Sequence, residues 1–127
     1  MERQLGTILV VEDETFINMY VSEELEEAGY TVLTAGNADQ AIALLETNDV
    51  CCLFTDIDMP GYMDGLQLAA AVRHRWPPVY LLITTGNSRP QPRAMPACSV
   101  LLPKPCTAWG DGAVVPAVCY DSRCLAR

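Results

Sequence analysis

Residues 50–61 read VCCLFTDIDMPG, an uncharged apolar run that stops at an aspartate and then turns. The run from Val50 to Thr55 is apolar at successive positions and too short for a typical helix, which predicts a β-strand buried on both faces. Such strands are typical of parallel sheets that are covered by helices on both sides. This stretch therefore predicts an α/β fold in which Asp56 follows an interior strand.

The segments around this stretch alternate between strand-like and helix-like patterns. Short apolar or β-branched runs predict strands, and apolar residues at three- and four-residue spacing predict the helices between them. The alternation predicts a doubly wound, five-stranded parallel sheet, flavodoxin-like, with strand order 2-1-3-4-5. The predicted strands are Thr7–Val11, Thr31–Ala35, Val50–Thr55, Val79–Thr84 and Ser99–Leu102, and the predicted helices are Phe16–Ala28 (stopped by Gly29), a helix capped by Asn37 with Gln40, and Leu66–Arg75.

Two later segments depart from the alternation. Three prolines within residues 86–96 leave no room for a regular three-turn helix, because an interior proline costs about 3 kcal/mol, so we expect a degenerate fourth helix. The tail has no clear pattern, although Pro116 to Leu125 is a candidate last helix. We expect one domain over residues 1–127, with its core at about 5–105 and an atypical segment at 106–127.

Composition limits the classes of function. The 127 residues suffice for one hydrophobic core. Eight basic against sixteen acidic residues give a net charge of −8, which argues against a nucleic-acid partner. No apolar run approaches the roughly 20 residues of a membrane-spanning helix, so we expect no membrane insertion. The first residues lead into a strand-like segment without a signal-peptide pattern, and we expect a cytoplasmic protein.

The six cysteines raise the question of a zinc or disulfide framework. None of them is spaced as Cys-x-x-Cys, and the only histidine is His74. Zinc ligands usually come in closely spaced pairs. We therefore expect free thiols, buried or half-buried, such as Cys51 and Cys52 in the apolar run.

Polar residues that could bind a ligand or take part in a reaction stand at the carboxyl ends of the predicted strands. Ligands bind beyond these ends in an open parallel sheet, and the order 2-1-3-4-5 makes the first and third strands neighbours. The carboxylates at those two ends are therefore expected to converge in one cleft. Each residue alone also fits an ordinary loop, cap or strand role, and their joint occurrence favours a site. The set comprises Glu12 and Asp13 after the first strand, Asp56 after the third, Thr84 at the fourth and Lys104 after the fifth.

Converging carboxylates repel one another and favour a bound cation. Mg²⁺ prefers hard oxygen ligands, keeps several waters and usually takes one or two protein carboxylates. With Mg²⁺ bound, an ionised Asp56 is a nucleophile that can form an aspartyl-phosphate. The metal and the Lys104 ammonium would neutralise charge on the phosphoryl group, and the Thr84 hydroxyl would donate a hydrogen bond to it.

From about Thr7 to Lys104 the chain resembles the bacterial response-regulator receiver domain. The matching motifs are VVEDE at 10–14, TDIDMPG at 55–61, Asp64-Gly65, ITTG at 83–86 and Pro103-Lys104-Pro105. The resemblance implies a stand-alone switch of a two-component phosphorelay. The phosphoryl group would come from a histidine kinase or a histidine phosphotransfer protein, and output would be a protein contact or drainage of phosphate. At most slow self-dephosphorylation is implied, not enzyme activity.

The resemblance also assigns roles to individual residues, and it implies a cis peptide at Lys104-Pro105. It implies one Mg²⁺ ion held at the ends of the first and third strands, and two side chains that contact the phosphoryl group. The implied metal ligands are Asp13 and Asp56 directly, Glu12 largely through water and the main-chain carbonyl of Asp58, and the implied phosphoryl contacts are Thr84 and Lys104, with Asp56 as the phosphoacceptor.

The chain departs from the family pattern in several places. Glu12 stands where many members have Asp, and the loop from Asp56 to Gly65 is one residue longer than in the commonest members. Leu101 stands where many members have Tyr or Phe, prolines replace much of the fourth helix, and the last helix lacks a pattern. These last three changes fall on the face that the family generally uses to signal. They predict intact chemistry with an unusual output.

Two other interpretations stay open. A pseudo-receiver, acting only as an interaction module, would lack an acid, the hydroxyl or the lysine, and none of these is missing from the sequence. The run Asp56-Ile57-Asp58 also fits the aspartate motif of haloacid-dehalogenase-like phosphohydrolases, but their further acidic pair follows a later strand. Repeated turnover of a phosphate ester would identify such an enzyme, whereas a receiver is phosphorylated once.

Overall fold

The computed structural model describes residues 6–58, 63–85 and 99–103. The five strands form one sheet in the order β2-β1-β3-β4-β5, and every neighbouring pair is parallel. The predicted α/β class and strand order are confirmed. The elements are β1 (Thr7–Val11), α1 (Thr15–Glu27), β2 (Thr31–Ala35), α2 (Ala38–Thr47), β3 (Cys52–Asp56), α3 (Gly65–Arg75), β4 (Tyr80–Thr85) and β5 (Ser99–Pro103).

The core lies on both faces of the sheet because side chains alternate along each strand. On one face, Leu9 and Leu53 belong to the buried cluster that includes Leu68 of α3. On the other face, Ile8 and Phe54 belong to the cluster that includes residues of α1. All five residues of β3 are buried, as predicted for an interior strand. Burial of each large apolar side chain contributes about 1.5–3 kcal/mol. This packing stabilises the sheet and thereby the positions of the carboxyl ends of its strands.

Helix α1 ends at a glycine in the left-handed region, as the sequence predicts. Gly29 has a φ of 107°, which residues with a Cβ rarely adopt. Its N–H donates to the Glu26 carbonyl at 3.0 Å, and the Tyr30 N–H donates to the Leu25 carbonyl at 3.1 Å. This is the Schellman arrangement, which satisfies the last carbonyls of the helix.

The N-terminus of α2 differs from the prediction in one respect. The Asn37 side chain accepts a hydrogen bond from the Gln40 N–H at 2.9 Å, so the predicted cap is confirmed. The Gln40 side chain, however, accepts from the Gly36 N–H at 2.8 Å and does not close a capping box on Asn37. A full capping box is found instead at α3, between Asp64 and Gln67.

Strand β3 starts two residues later than predicted and continues through Asp56. The reason is the ladder to β4, in which Asp56 pairs with Thr84 and the Ile57 N–H donates to the Thr84 carbonyl at 2.9 Å. Strand β4 likewise begins one residue later, at Tyr80. The predictions for residues 86–96 and for the tail lie outside the described residues. No helix within the described ranges is long and apolar enough to cross a bilayer.

Candidate functional site

Two acidic residues, one buried and one exposed, directly follow β1 at the carboxyl edge of the sheet. Glu12 is 2% exposed, whereas Asp13 is exposed. The Glu12 N–H donates to the Ala35 carbonyl at 3.1 Å, which extends the β1–β2 ladder by one residue. The Glu12 Oε2 atom accepts from the Glu14 N–H at 3.2 Å. Hydrogen bonds with main-chain groups therefore hold both the backbone and the side chain of Glu12.

Strand β3 delivers the third acid at the same edge. Asp56 is 3% exposed, and its Oδ1 atom accepts a hydrogen bond from the Asp58 N–H at 3.2 Å. The strand pairing to Thr84 fixes the Asp56 backbone from the other side. A buried carboxylate held in this way is pre-organised, since little rearrangement is needed before its oxygen meets a ligand.

The carboxylates of Glu12, Asp13 and Asp56 lie together. One oxygen from each falls within 4.8 Å of the other two. At this separation each pair of charges repels by roughly 3 kcal/mol if the effective dielectric constant is about 20. The convergence predicted from the strand order is therefore found, and its negative charge favours a compensating cation.

Protein cations in the described ranges do not supply that compensation. Their basic side chains are Arg73, His74 and Arg75, all in the last turn of α3. Arg73 donates to the Val79 carbonyl at 2.8 Å, at the start of β4, and Arg75 pairs with Glu46 at 2.9 Å. This is the opposite end of the sheet from the acids.

The donor set suits a hard divalent cation. Three carboxylates at this spacing offer only oxygen ligands, which Mg²⁺ prefers to nitrogen or sulfur. The exposure of Asp13 leaves the cluster open to water on one side, as an ion that keeps several waters requires. The residues present therefore fit Mg²⁺.

Of the other predicted site residues, the structure describes Thr84 and Asp58 but not Lys104. The Thr84 side chain is 1% exposed, and its Oγ1 atom is buried without a hydrogen-bond partner in the described part of the chain. Asp58 is exposed beside Asp56. Lys104, with the expected cis peptide to Pro105, lies outside the described residues. An unpartnered buried hydroxyl next to the acids is a donor ready for an incoming oxygen.

Gly65 contacts the end of β3 more closely than the motif alone indicates. A Cβ atom on this residue would lie 1.9 Å from the main-chain oxygen of Asp56. The Gly65 N–H also donates to the Ile57 carbonyl at 3.0 Å. The sequence marks Asp64-Gly65 only through the family resemblance, and the packing reason emerges from the fold.

A second residue, Asn18, was missed at the sequence level. Its side chain joins the ends of β1 and β2 next to the acids. The only signal in the sequence is a polar residue on the inner side of an otherwise apolar helix face, beside Ile17 and Val21. Such a position is more often simply half-solvated.

Helix α1 presents an exposed apolar face close to the acids. Phe16, Met19 and Tyr20 are 86%, 53% and 52% exposed, and their spacing of three and four residues places them on one side of the helix. Helix α1 begins two residues after Asp13. We call these three residues the α1 face.

The structure describes two of the six cysteines, Cys51 and Cys52. Cys51 is half-buried and Cys52 is buried, and neither forms a disulfide. The other four cysteines lie outside the described residues.

Comparison with known proteins identifies the family and several relatives. The family described as "Response regulator receiver domain" matches residues 8–100. The hydrogenase transcriptional regulatory protein HoxA of Cupriavidus necator is 36% identical over 86 residues, which are 68% of this chain and 17% of HoxA. The DNA-binding transcriptional regulator NtrC of Salmonella typhimurium is 35% identical over 85 residues, which are 67% of this chain and 18% of NtrC. The chain thus spans less than a fifth of either relative.

Solved structures share the fold of this chain. A response regulator receiver domain protein from Clostridium thermocellum superposes with a TM-score of 0.79 at 24% identity, covering 95% of this chain and 99% of that one. The chemotaxis response regulator CheY4 of Vibrio cholerae gives a TM-score of 0.78 at 26% identity, covering 91% of this chain and 99% of that one.

Proposed function

The chain belongs to the response regulator receiver domain family, and from that premise we propose that it accepts a phosphoryl group on Asp56 in a two-component phosphorelay. Domains of this family are signalling modules and generally not enzymes. The observation that carries the proposal is the carboxylate cluster at the ends of β1 and β3, with the buried Asp56 as its nucleophile.

The proposed transfer uses phosphohistidine as the donor. An Asp56 carboxylate oxygen attacks phosphorus, the P–N bond to the imidazole breaks, and the imidazole leaves with the electron pair and takes up a proton. Two-component partners that carry phosphohistidine are histidine kinases and histidine phosphotransfer proteins. The cytoplasm is the proposed compartment.

The neighbouring residues have separate proposed roles. Mg²⁺, when bound, offsets the negative charge of the acids and of the phosphoryl oxygens. Its proposed ligands are Asp13 and Asp56, with Glu12 acting through water and the Asp58 carbonyl completing the protein ligands. The Thr84 hydroxyl, buried and without a partner in the described ranges, would donate to one phosphoryl oxygen, and the Lys104 ammonium would pair with another.

The α1 face supports a docking role for this side of the domain. Three large apolar side chains stand exposed on one helix, beside the proposed acceptor site. A donor protein that covers them would bring its phosphohistidine to Asp56. Several acidic residues follow on the same helix, including Glu23 and Glu27, so a partner surface with basic residues at its rim fits best.

Output is proposed to be a protein contact or drainage of phosphate. HoxA and NtrC are described as transcriptional regulators, but the matched region is a small part of each. The DNA binding named for NtrC is therefore not proposed for this chain, in agreement with its net charge of −8.

Intact-mass measurement after incubation with Mg²⁺ and phosphoramidate tests the proposal. We expect one added phosphoryl group, no addition with EDTA, and none in Asp56→Asn. Asp49→Asn, an exposed acid at the other end of the sheet, is the matched control and should be phosphorylated like the parent. Addition at the parental rate in Asp56→Asn would refute the assignment.

This experiment and a phosphatase assay separate the two other interpretations. A parent protein that takes no phosphoryl group at any Mg²⁺ concentration would indicate a pseudo-receiver. Continuous release of phosphate from p-nitrophenyl phosphate, with many turnovers per protein, would indicate a phosphohydrolase.

A further inference from the structure

The carboxamide of Asn18 bridges the ends of two neighbouring strands. Its Nδ2 atom donates to the Glu12 carbonyl at 3.2 Å and to the Ala35 carbonyl at 3.3 Å. Its Oδ1 atom accepts the Ser22 hydroxyl at 3.2 Å, one turn further along α1. An amide nitrogen carries two hydrogens, which is the number that two carbonyl acceptors require.

The orientation of this carboxamide follows from chemistry. Main-chain carbonyls can only accept hydrogen bonds, so the nitrogen must face Glu12 and Ala35. The Ser22 hydroxyl can then donate to the remaining oxygen. Ser22 is 8% exposed, so the hydroxyl group that holds the amide oxygen is buried, whereas Asn18 itself is half-buried.

The bridge acts at the peptide that joins the two acids. The Glu12 carbonyl belongs to the Glu12–Asp13 peptide, so a fixed carbonyl fixes the direction in which the chain enters Asp13. The Ala35 carbonyl already accepts the Glu12 N–H at 3.1 Å, and Asn18 therefore continues the β1–β2 ladder beyond its last main-chain bond. The two strand ends and α1 are locked around the acid pair.

We propose that Asn18 is a positioning residue for the metal site, an inference that rests on the proposed function. It touches neither metal nor phosphoryl group, and it acts by holding the Glu12–Asp13 peptide so that both carboxylates meet Asp56. Residues that orient metal ligands from outside typically contribute 10- to 100-fold to metal affinity.

Loss of the bridge should loosen the site without unfolding the domain. Asn18 lines a cavity of about 340 Å³ together with Glu12 and Asp13, so water can reach the carbonyls that it leaves. Water would satisfy these carbonyls but would not hold them in one direction. The expected consequence is weaker Mg²⁺ binding in a folded protein.

The test is Mg²⁺ titration by isothermal calorimetry of the parent and of variants, well below each melting temperature. Asn18→Leu keeps the approximate volume and the charge while removing both donated bonds, and Asn18→Ala does the same in a smaller side chain that favours helix. Asn18→Asp is avoided because an added negative charge would itself attract Mg²⁺. We expect the Mg²⁺ Kd to rise about tenfold in both variants.

The matched control is Asn48→Leu. Asn48 donates from Nδ2 to the Leu44 carbonyl at 3.0 Å, at the C-terminal end of α2 and away from the acids. Its Kd should equal that of the parent. A Kd within twofold of the parent in Asn18→Ala, or an equal loss in Asn48→Leu, overturns the inference. A parent protein that binds no Mg²⁺ would instead overturn the proposed function.

Discussion

The first residue of α3, Gly65, packs directly against the main-chain oxygen of Asp56. A Cβ atom on Gly65 would stand 1.9 Å from that oxygen and 2.8 Å from the Cα atom of Ile57. These are backbone atoms of the strand end, which cannot rotate away as a flexible side chain would. Helix α3 and the end of β3 are therefore so close at Gly65 that only a hydrogen atom fits in place of a side chain.

Gly65→Ala should destabilise the domain and displace Asp56. We expect a loss of about 1–3 kcal/mol in the free energy of unfolding, the usual cost of overpacking. The variant should also be phosphorylated more slowly by phosphoramidate, because α3 or Asp56 must move. Urea unfolding and the phosphorylation rate measure the two effects.

Gly36→Ala is the matched control for this glycine. A Cβ atom at Gly36 would meet only the Gln40 Oε1 atom, at an ordinary contact distance of 3.6 Å. We expect its unfolding free energy to stay within about 0.5 kcal/mol of the parent. Equal losses in the two variants would show that the contact with Asp56 has no special role.

The carboxylate cluster could be predicted from the sequence because it depends only on strand ends and strand order. Once β1 and β3 are neighbours, Glu12, Asp13 and Asp56 must meet at one edge, whatever the details of packing. The boundary of β3 was less predictable. Asp56 reads as a turn residue in the sequence, and only its pairing with Thr84 places it inside the strand.

The contacts of Gly65 and Asn18 could not be predicted in the same way. Both depend on how closely a helix packs against a strand end, such as the 3.3 Å from Asn18 to the Ala35 carbonyl, which a residue pattern does not give. A half-buried asparagine on a helix has many possible partners, and sequence periodicity does not choose among them.

Mg²⁺ should stabilise the folded protein through Asp13. Binding to the native state alone adds about 1.4 kcal/mol at ten times the Kd. Asp13→Asn should lose most of this Mg²⁺-dependent rise in melting temperature. Without metal the same variant should be at least as stable as the parent, since one of three mutually repelling carboxylates is gone.

Asp49→Asn serves as the control for loss of one negative charge. Asp49 is exposed and lies in the connection before β3, away from the acids. Its response to Mg²⁺ should match that of the parent. An unchanged Mg²⁺ response in Asp13→Asn would contradict the shared metal site.

Thr84→Val should have opposite effects on stability and on phosphorylation. The Thr84 Oγ1 atom is buried without a partner in the described part of the chain, and a buried unsatisfied hydroxyl costs about 1–3 kcal/mol. Valine has nearly the same shape, so the metal-free protein should become more stable by about 1 kcal/mol. Phosphorylation should slow at least tenfold, since the proposed hydrogen bond to the phosphoryl group would be lost.

Thr84→Ser is the control, because it keeps the hydroxyl and should retain the parental rate within a few-fold. Equal rates in Thr84→Val and the parent would exclude Thr84 from the site.

The α1 face should be required for transfer from a protein donor and dispensable for transfer from a small molecule. Phe16 is 86% exposed, so Phe16→Ser removes little buried surface and should change the unfolding free energy by less than about 0.5 kcal/mol. In the proposed docking, a phosphohistidine-carrying kinase or phosphotransfer domain would cover this face while its imidazole meets Asp56. We expect Phe16→Ser and Met19→Ser to raise the KM for that donor, while the rate with phosphoramidate stays at the parental value. Ala43→Ser, on the exposed surface of α2, is the control and should change neither rate. Parallel losses with both donors would mean that Phe16 supports the acceptor site itself, and unchanged transfer from the protein donor would move the docking surface elsewhere.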